Sequence, residues 1–269
     1  MDDPVLDALE DAYAQTKDTL LGFYLLLRSW HVQQRESLPE RSLAPTGVTK
    51  LARDEVPILQ FQDLGLEPEP FNALLDDLGE LWEQQDPGAL EELAGFSPPE
   101  RLALAETWFR TGQSGQGPAV DGLIGNALAP QLEWAAEQLT PYVPSHLWAL
   151  PACPVCGGWP DFALWRDEGD TPLICERCRA TWQAALQGCF FCGETDPEQR
   201  GVYVSDDETY AVEVCDTCGH YLKGLLETAL PPNYQPLLSI ERLLTPGLDL
   251  LALEEGYARP DGVAREPRA

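Results

Sequence analysis

The stretch Cys153-Pro154-Val155-Cys156-Gly157 contains the first of four Cys-x-x-Cys pairs, and these pairs decide how the second half of the chain folds. The other three pairs, which use all the remaining cysteines, are Cys175/Cys178, Cys189/Cys192 and Cys215/Cys218. Two thiols separated by two residues can turn inward around one ion, and two such pairs supply the tetrahedral four-sulfur shell that Zn²⁺ or iron prefers. The spacing therefore predicts two metal ions, each bound by four cysteines.

The spacing between pairs favours joining neighbouring pairs into one site. This grouping leaves 18 residues between Cys156 and Cys175, which is usual for a zinc ribbon, and 22 between Cys192 and Cys215. Each insert contains alternating apolar and polar residues, which predicts a hairpin. Two tandem modules of the rubredoxin or zinc-ribbon type are thus favoured over a cross-braced arrangement. The predicted ligand sets are Cys153/Cys156/Cys175/Cys178 and Cys189/Cys192/Cys215/Cys218.

Glycine follows three of the four cysteine pairs, and a different residue follows the fourth. Glycine follows at Gly157, Gly193 and Gly219, whereas Arg179 follows Cys178. This position often needs a positive φ so that backbone N–H groups can point at the sulfurs, and glycine reaches that conformation without a Cβ penalty. We therefore expect the turn that ends at Arg179 to be tighter or slightly distorted.

Other cysteine chemistries fit the pattern less well. Disulfides are disfavoured by the metal-type spacing, and a thioredoxin-type redox pair normally occurs once, at the start of a helix. A site closed by four thiolates leaves no position for water or substrate, so metal-assisted hydrolysis is disfavoured. Sulfur ligation does not separate zinc from iron. His220, two residues after Cys218, is interpreted as a surface residue beside the site rather than a ligand.

The charge of the chain bears on its partners. The 269 residues include 45 acidic and 17 basic ones, giving a formal net charge of −28. Phosphate binding needs a basic surface, so nucleic-acid binding is disfavoured. The most apolar run, Leu20 to Leu27, is too short to span a bilayer, and the acidic start at Met1 lacks the features of an export signal. Because thiolates need a reducing compartment, we expect a cytoplasmic protein without membrane insertion.

The first half of the chain has the periodicity of helices. Asp18 can cap a helix from about Thr19 to Gln34, and Ser97 can open a capping box before a helix to about Phe109. Apolar residues recur at helical spacing between residues 71 and 82, and residues 121–139 predict a further helix that Pro130 should kink or interrupt. The Gly-rich residues 111–118 fit neither a phosphate loop nor a nucleophile elbow. No catalytic constellation is recognised, so we expect a protein that is not an enzyme.

These features predict an α+β protein. An all-α helical domain precedes two tandem rubredoxin-like modules and a C-terminal helical segment. Residues 221–229 are expected to form a helix after the last cysteine, and a helical stretch from about 237 to 255 should break at Pro246-Gly247. The predicted units are a helical domain (1–140), a linker (141–151), the first module (152–186), the second module (187–228), the helical segment (229–257) and a frayed tail (258–269).

Two motifs resemble those of a known family. Ala152–Gly157 and Cys215–Lys223, together with the tail Leu248–Tyr257, resemble formate dehydrogenase accessory proteins of the FdhE type. The resemblance implies a cytoplasmic maturation factor that binds the catalytic subunit of a molybdenum- or tungsten-containing formate dehydrogenase and is needed for its activity. It also implies iron at the cysteine pairs, with all eight cysteines as ligands. Tyr221-Leu222-Lys223 matches a family signature and is expected to dock the helix that follows.

Two further functions are left open. Two Fe–S₄ centres in rubredoxin-like folds could pass single electrons, which would make the chain a redox protein. A zinc-ribbon protein that binds nucleic acid is the third hypothesis. The acidic composition opposes it, because residues 151–225 carry 13 acidic and 5 basic side chains.

Overall fold

The computed structural model describes most of the chain, and the fold within the described ranges is α+β, as predicted. It contains eight α-helices and one six-stranded sheet in those ranges. The described residues are 3–43, 54, 56–83, 88–143, 148, 150–166, 171–184, 188–231 and 236–260.

Six of the helices in the described ranges precede the first cysteine pair. They are α1 (Pro4–Thr16), α2 (Thr19–Glu36), α3 (Pro68–Trp82), α4 (Ala89–Leu93), α5 (Pro98–Thr111) and α6 (Pro118–Leu139). Two of the predicted starts are present: the Asp18 carboxylate accepts from the Leu20 and Leu21 N–H groups at 2.9 and 3.0 Å, and Ser97 forms its capping box. These side chains satisfy N–H groups that a helix start otherwise leaves unpaired.

Helix α6 contains Pro130, at which the sequence predicts a kink or an interruption. It continues through Pro130 without interruption, although an internal proline removes a backbone hydrogen bond at a cost of about 3 kcal/mol. This helix lies in the middle of the helical layer, and Leu123, Leu128 and Leu132 are completely buried. Apolar burial along α6 outweighs the cost of the proline.

The cysteine-containing half forms a single sheet. Its strands are β1 (Pro160–Trp165), β2 (Thr171–Cys175), β3 (Thr181–Ala184), β4 (Arg200–Val204), β5 (Tyr210–Cys215) and β6 (His220–Leu226). The strand order is β3-β2-β1-β6-β5-β4. The hairpins within each half of the sheet are antiparallel, but β1 and β6 pair in parallel, with Phe162 opposite Lys223. The two predicted modules therefore share one continuous sheet. The predicted turn at 168–170 lies outside the described residues, whereas Ser205 forms the β4–β5 turn by donating its N–H to the Tyr210 carbonyl at 2.9 Å.

The prediction of a helix at residues 221–229 is wrong. Residues 220–226 form strand β6, followed by a 3₁₀ turn at Glu227–Ala229. Tyr221 to Leu225 are buried without a break, since β6 lies between β1 and β5 and is covered on both faces. A central strand of this kind has the same continuous apolar run as a buried helix, so periodicity does not separate the two.

The C-terminal helices cover one face of the sheet. Helix α7 (Leu238–Leu244) and helix α8 (Pro246–Glu254) are separated at Thr245, as the Pro246-Gly247 break predicted. The tail predicted to be frayed starts at residue 258, yet Ala258 donates its N–H to the Gly219 carbonyl at 2.9 Å. The guanidinium of Arg259 donates to the carbonyls of Pro160 and Asp161 at 2.8 and 3.0 Å. These bonds hold 258–260 against the sheet, while 261–269 lie outside the described residues.

The helices and the cysteine-containing half share one apolar core. Its largest cluster includes Phe71 and Leu128 of the helices together with Cys153 and Phe191. Two backbone hydrogen bonds join the same parts: Ile58 N–H to the Pro154 carbonyl at 3.0 Å and Leu59 N–H to the Val155 carbonyl at 2.9 Å. The first cysteine pair is therefore packed directly against the helical half.

Candidate metal centres

The first four-cysteine site lies between the helices and the sheet. Cys153 and Cys156 precede β1, Cys175 ends β2, and Cys178 lies in the turn before β3. The sulfurs of Cys153 and Cys178 are 3.5 Å apart, as are those of Cys156 and Cys175. All four sulfurs lie within 4.8 Å of one another, and all four residues are buried. We call this cluster site 1.

The second site belongs to the half of the sheet formed by β4, β5 and β6. Cys189 and Cys192 precede β4, Cys215 ends β5, and Cys218 lies in the turn before β6. The sulfur of Cys189 is 3.7 Å from that of Cys218, and the sulfur of Cys192 is 3.6 Å from that of Cys215. Cys192 and Cys218 are half-buried, unlike any ligand of site 1. We call this cluster site 2. The cysteines group as sequential pairing predicted.

The sulfur geometry fits a tetrahedral ion. A Zn–S bond of about 2.3 Å in a regular tetrahedron separates the sulfurs by about 3.8 Å, close to the 3.5–3.7 Å distances of both sites. A disulfide would require about 2.05 Å, and all eight cysteines are free thiols. Four thiolates suit zinc or iron equally, and either ion would cross-link two turns of the backbone at each site.

The backbone around the cysteines is pre-shaped for this role. The N–H groups of Arg177 and Phe191, two residues after Cys175 and Cys189, point at the sulfurs of those cysteines at 3.4 Å. The residue after every pair has a positive φ; the values are 78° at Gly157, 58° at Arg179, 75° at Gly193 and 70° at Gly219. Arg179 therefore adopts the same left-handed turn as the glycines. Its closing hydrogen bond, from the Arg179 N–H to the Cys175 carbonyl, is 3.2 Å long, compared with 2.8–2.9 Å in the other three turns.

Arg179 gains an interaction that glycine would lack. Its Nε is 2.8 Å from Oε1 of Glu133 on helix α6, and the same carboxylate accepts from Arg28 Nη1 of helix α2 at 2.6 Å. Burial alone would raise the pKa of Glu133, but attraction to Arg179 and Arg28 outweighs it and lowers that pKa. This buried charge cluster ties site 1 to two helices. Sequence reasoning did not find it, although the departure from glycine at 179 was its signal.

Arg177 makes a second link from site 1 to the helices. Its guanidinium donates to the carbonyls of Trp108 and Phe109 at 2.7 and 3.0 Å, and it stacks 3.9 Å from the Trp108 ring centroid. These carbonyls lie in the last turn of α5, where the helix dipole favours a positive charge. Arg177 therefore holds the second turn of site 1 against the end of a helix.

Comparison with known proteins gives a consistent result. No family model matches the chain. Over 115 residues it is 32% identical to the protein FdhE homolog of Rhizobium meliloti (strain 1021) and 33% identical to protein FdhE of Escherichia coli O1:K1. These matches cover 40% of this chain, but only 36% and 35% of those two proteins. The crystal structure of the FdhE protein from Pseudomonas aeruginosa is similar over 98% of this chain and 94% of its own, with a TM-score of 0.62 at 20% identity. The chain is thus similar to FdhE proteins, in sequence over these 115 residues. The resemblance predicted from the cysteine motifs is thus confirmed, and the fold is shared along almost the whole chain.

The FdhE-type signature Tyr221-Leu222-Lys223 has a structural role on strand β6. Tyr221 Oη donates to Asp249 Oδ1 at 2.8 Å, and Lys223 Nζ donates to Asp249 Oδ2 at 2.5 Å and to the Arg242 carbonyl at 2.9 Å. Leu222 belongs to the main core beside Cys215. The signature therefore docks the C-terminal helices α7 and α8 on the sheet, rather than the helix predicted to follow Cys218.

Several buried thiols of the two sites have shifted pKa values. Burial raises the pKa of Cys175 and Cys178, and it raises that of Cys189 to about 11. Hydrogen bonds with the Cys153, Cys175 and Cys178 side chains lower the pKa of Cys156. Because a thiol must lose its proton to bind an ion, metal binding at the thiols with a raised pKa would release protons.

Two further sequence predictions concern His220 as a ligand and membrane-spanning helices. Within the described residues, the four-ligand groups contain cysteines alone, and the half-buried His220 ring packs edge-on against Phe191 at 5.6 Å. In the same part of the chain, no helix has both the length and the apolar character needed to cross a membrane.

Proposed function

We propose that this chain is a metal-binding accessory protein that binds the catalytic subunit of a formate dehydrogenase and is needed for that enzyme to become active. The observation that carries the proposal is the pair of four-cysteine sites in a chain whose fold matches an FdhE protein over 98% of its length. The eight cysteines hold the ions, and the chain acts in the cytoplasm, where thiols stay reduced.

The sites support binding rather than catalysis. Four thiolates close the coordination shell, so neither site has a position at which a substrate or water could be activated. In this proposal the ions fix the shape of the sheet and the helices around it, and the outer surface contacts the client. The net charge of −28 opposes nucleic acid as the partner.

Co-purification and genetic loss test the proposal together. A tagged copy of the full chain, expressed in its native host, should recover the dehydrogenase catalytic subunit, identified by mass spectrometry. Deleting the gene should abolish formate-dependent dye reduction without lowering the amount of catalytic subunit synthesised. The untagged strain and a tagged protein of similar acidity are the controls. Full dehydrogenase activity in the deletion strain, with no subunit captured, would refute the proposal.

A redox role is the second candidate, and one observation favours it. Cys192 and Cys218 are half-buried, which brings the sulfur shell of site 2 close to the surface and within reach of an electron donor. Protein purified without oxygen should then contain two iron ions per chain and show a red colour that bleaches reversibly on reduction. A colourless, zinc-loaded protein that still activates the dehydrogenase would eliminate this role.

A further inference from the structure

Strand β4 forms one edge of the sheet and presents apolar side chains to solvent. Val202 and Val204 are 62% and 51% exposed, and they lie on the face opposite Tyr203, which packs towards helix α8. The β4–β5 pairing is regular over all five residues of the strand, so β4 is straight and firmly held on its inner side. Its two most exposed residues are therefore fixed in an extended conformation.

The same residues direct their backbone groups outward. The Ser205 N–H donates to the Tyr210 carbonyl, and the Gln199 carbonyl accepts from Asp216, so both residues belong to hydrogen-bonded pairs with β5. Hydrogen-bonded and non-hydrogen-bonded pairs alternate along an antiparallel ladder, so the odd-numbered residues from 199 to 205 form the hydrogen-bonded pairs and the even-numbered ones do not. Val202 and Val204 consequently point their N–H and C=O groups away from β5. Among the described residues, no backbone hydrogen bond reaches this side of the strand.

Soluble proteins usually protect such an edge with lysine, proline or a bulge. Strand β4 contains neither lysine nor proline, and its pairing shows no register shift. The opposite edge, β3, differs, because its exposed positions are the polar Thr181 and Gln183. One edge of the sheet is thus polar, and the other combines apolar side chains with open backbone groups.

The charges around β4 define the kind of partner. Its one basic residue, Arg200, donates to Glu213 at 3.0 Å and is neutralised. Exposed acidic residues flank both ends of the strand; they are Asp196 and Glu198 before it, and Asp206, Asp207 and Glu208 after it. A second copy of this chain would bring the same acidic groups, and a net charge of −28, to the same edge.

We infer that β4 is a docking edge for an extended segment of a partner protein in which basic residues alternate with apolar ones. The segment adds a seventh strand, its backbone pairs with Val202 and Val204, its apolar side chains cover the two valines, and its basic side chains meet the flanking carboxylates. The inference does not depend on the identity of the client, so its test uses a synthetic peptide and no dehydrogenase.

The test is fluorescence anisotropy of a labelled ten-residue peptide of alternating valine and lysine, titrated with the full metal-loaded chain. Saturable binding is expected, and it should weaken when NaCl is raised from about 0.05 to about 0.5 M, because screening shortens the range of charge attraction. A peptide of alternating valine and glutamate should not bind. Equal binding of both peptides, or none of the basic one, overturns the inference.

Variants at residue 202 separate backbone pairing from surface charge. Val202→Pro removes an N–H that points away from β5, so the fold and the thermal midpoint should be retained. Peptide affinity should fall at least about tenfold, because one main-chain hydrogen bond is lost and the proline ring obstructs pairing. Val202→Thr is the matched control, since it keeps the N–H and the β-branch, and its affinity should fall less. A folded Val202→Pro chain that binds like the wild type overturns the inference. So does a dimer of the free chain, seen by analytical ultracentrifugation and dissolved by Val202→Pro, because that would make a second copy the occupant.

Discussion

Sites 1 and 2 have the same sulfur geometry and different surroundings. Every ligand of site 1 is at most 1% exposed, and Arg177, Arg179 and the Ile58–Leu59 segment connect the site to the helical half. Site 2 has two half-buried ligands and is supported by aromatic contacts such as that between Phe191 and Trp159. Two metal sites of one geometry thus belong to the same apolar core, but only the ligands of site 1 are all buried.

Loss of cysteine ligands should have the largest effect, and its consequence for the helical signal should differ between the two sites. Structural zinc contributes on the order of 10 kcal/mol in small domains, which is comparable with the whole stability of an ordinary protein. Replacing Cys153 and Cys156 with serine should therefore reduce the far-UV helical signal as well as the metal content. Replacing Cys189 and Cys192 should leave one ion per chain and most of the helical signal.

Metal analysis and circular dichroism on the two double variants check this prediction. If the helical signal of the first variant is intact, the helical half folds independently, as a domain boundary near residue 140 would require. If both variants lose the same signal, the contrast between the sites has no energetic meaning.

Glu133 should have the next largest effect. Glu133→Gln keeps the size of the side chain but leaves the buried guanidiniums of Arg28 and Arg179 without their shared carboxylate. Breaking a buried ion pair in this way costs about 3–5 kcal/mol. Glu137→Gln is the matched control, because Glu137 lies on the same helix, is 62% exposed and pairs with Arg35 at the surface. It should cost less than about 1 kcal/mol in urea-induced unfolding. Equal costs would show that the buried cluster does not tie site 1 to the helices.

Acid should lower the stability of the folded chain through the protonation of His31. Burial, aided by the charge of Arg179, lowers the pKa of His31 to about 3, and Nε2 lies 3.1 Å from the Asn126 carbonyl, to which it donates. The unfolded chain binds a proton at this residue below about pH 6.5, whereas the folded chain does not. The resulting contribution to stability is therefore complete above about pH 6.5 and is lost progressively as the pH falls towards 3.

Urea unfolding at a series of pH values tests the role of His31. The wild type should lose stability between about pH 6.5 and 5, and His31→Gln should flatten this part of the curve. A slope that is the same in the wild type and in His31→Gln would assign the acid sensitivity to other groups.

The sequence predicted the sites better than the structure that surrounds them. Ligand identity and grouping follow from local spacing, because a Cys-x-x-Cys turn is set by a few neighbouring residues. The shared sheet does not follow, since the parallel pairing of Phe162 with Lys223 joins strands about 60 residues apart. Strand β6 was mistaken for a helix because burial on both faces removes the alternation that marks a strand. Glu133, Arg28 and Arg179 come together only through the tertiary fold, and only the unusual residue after Cys178 hinted at their contact.

The smallest expected effect comes from substitutions at the residue that follows the second cysteine pair of each site, Arg179 in site 1 and Gly219 in site 2. Gly219→Ala places a Cβ in open space, so its cost is the left-handed backbone alone, about 1–2 kcal/mol. Arg179→Gly removes a similar strain but takes away the ion-pair partner of the buried Glu133 Oε1, and leaving a buried acceptor without its partner costs about 1–3 kcal/mol. We therefore expect Arg179→Gly to destabilise the chain by about 1 kcal/mol, measured by urea unfolding of the metal-loaded protein. Were Arg179→Gly stabilising, the charge cluster would contribute less than the strain, and the arginine would need an explanation other than the link between site 1 and helix α6.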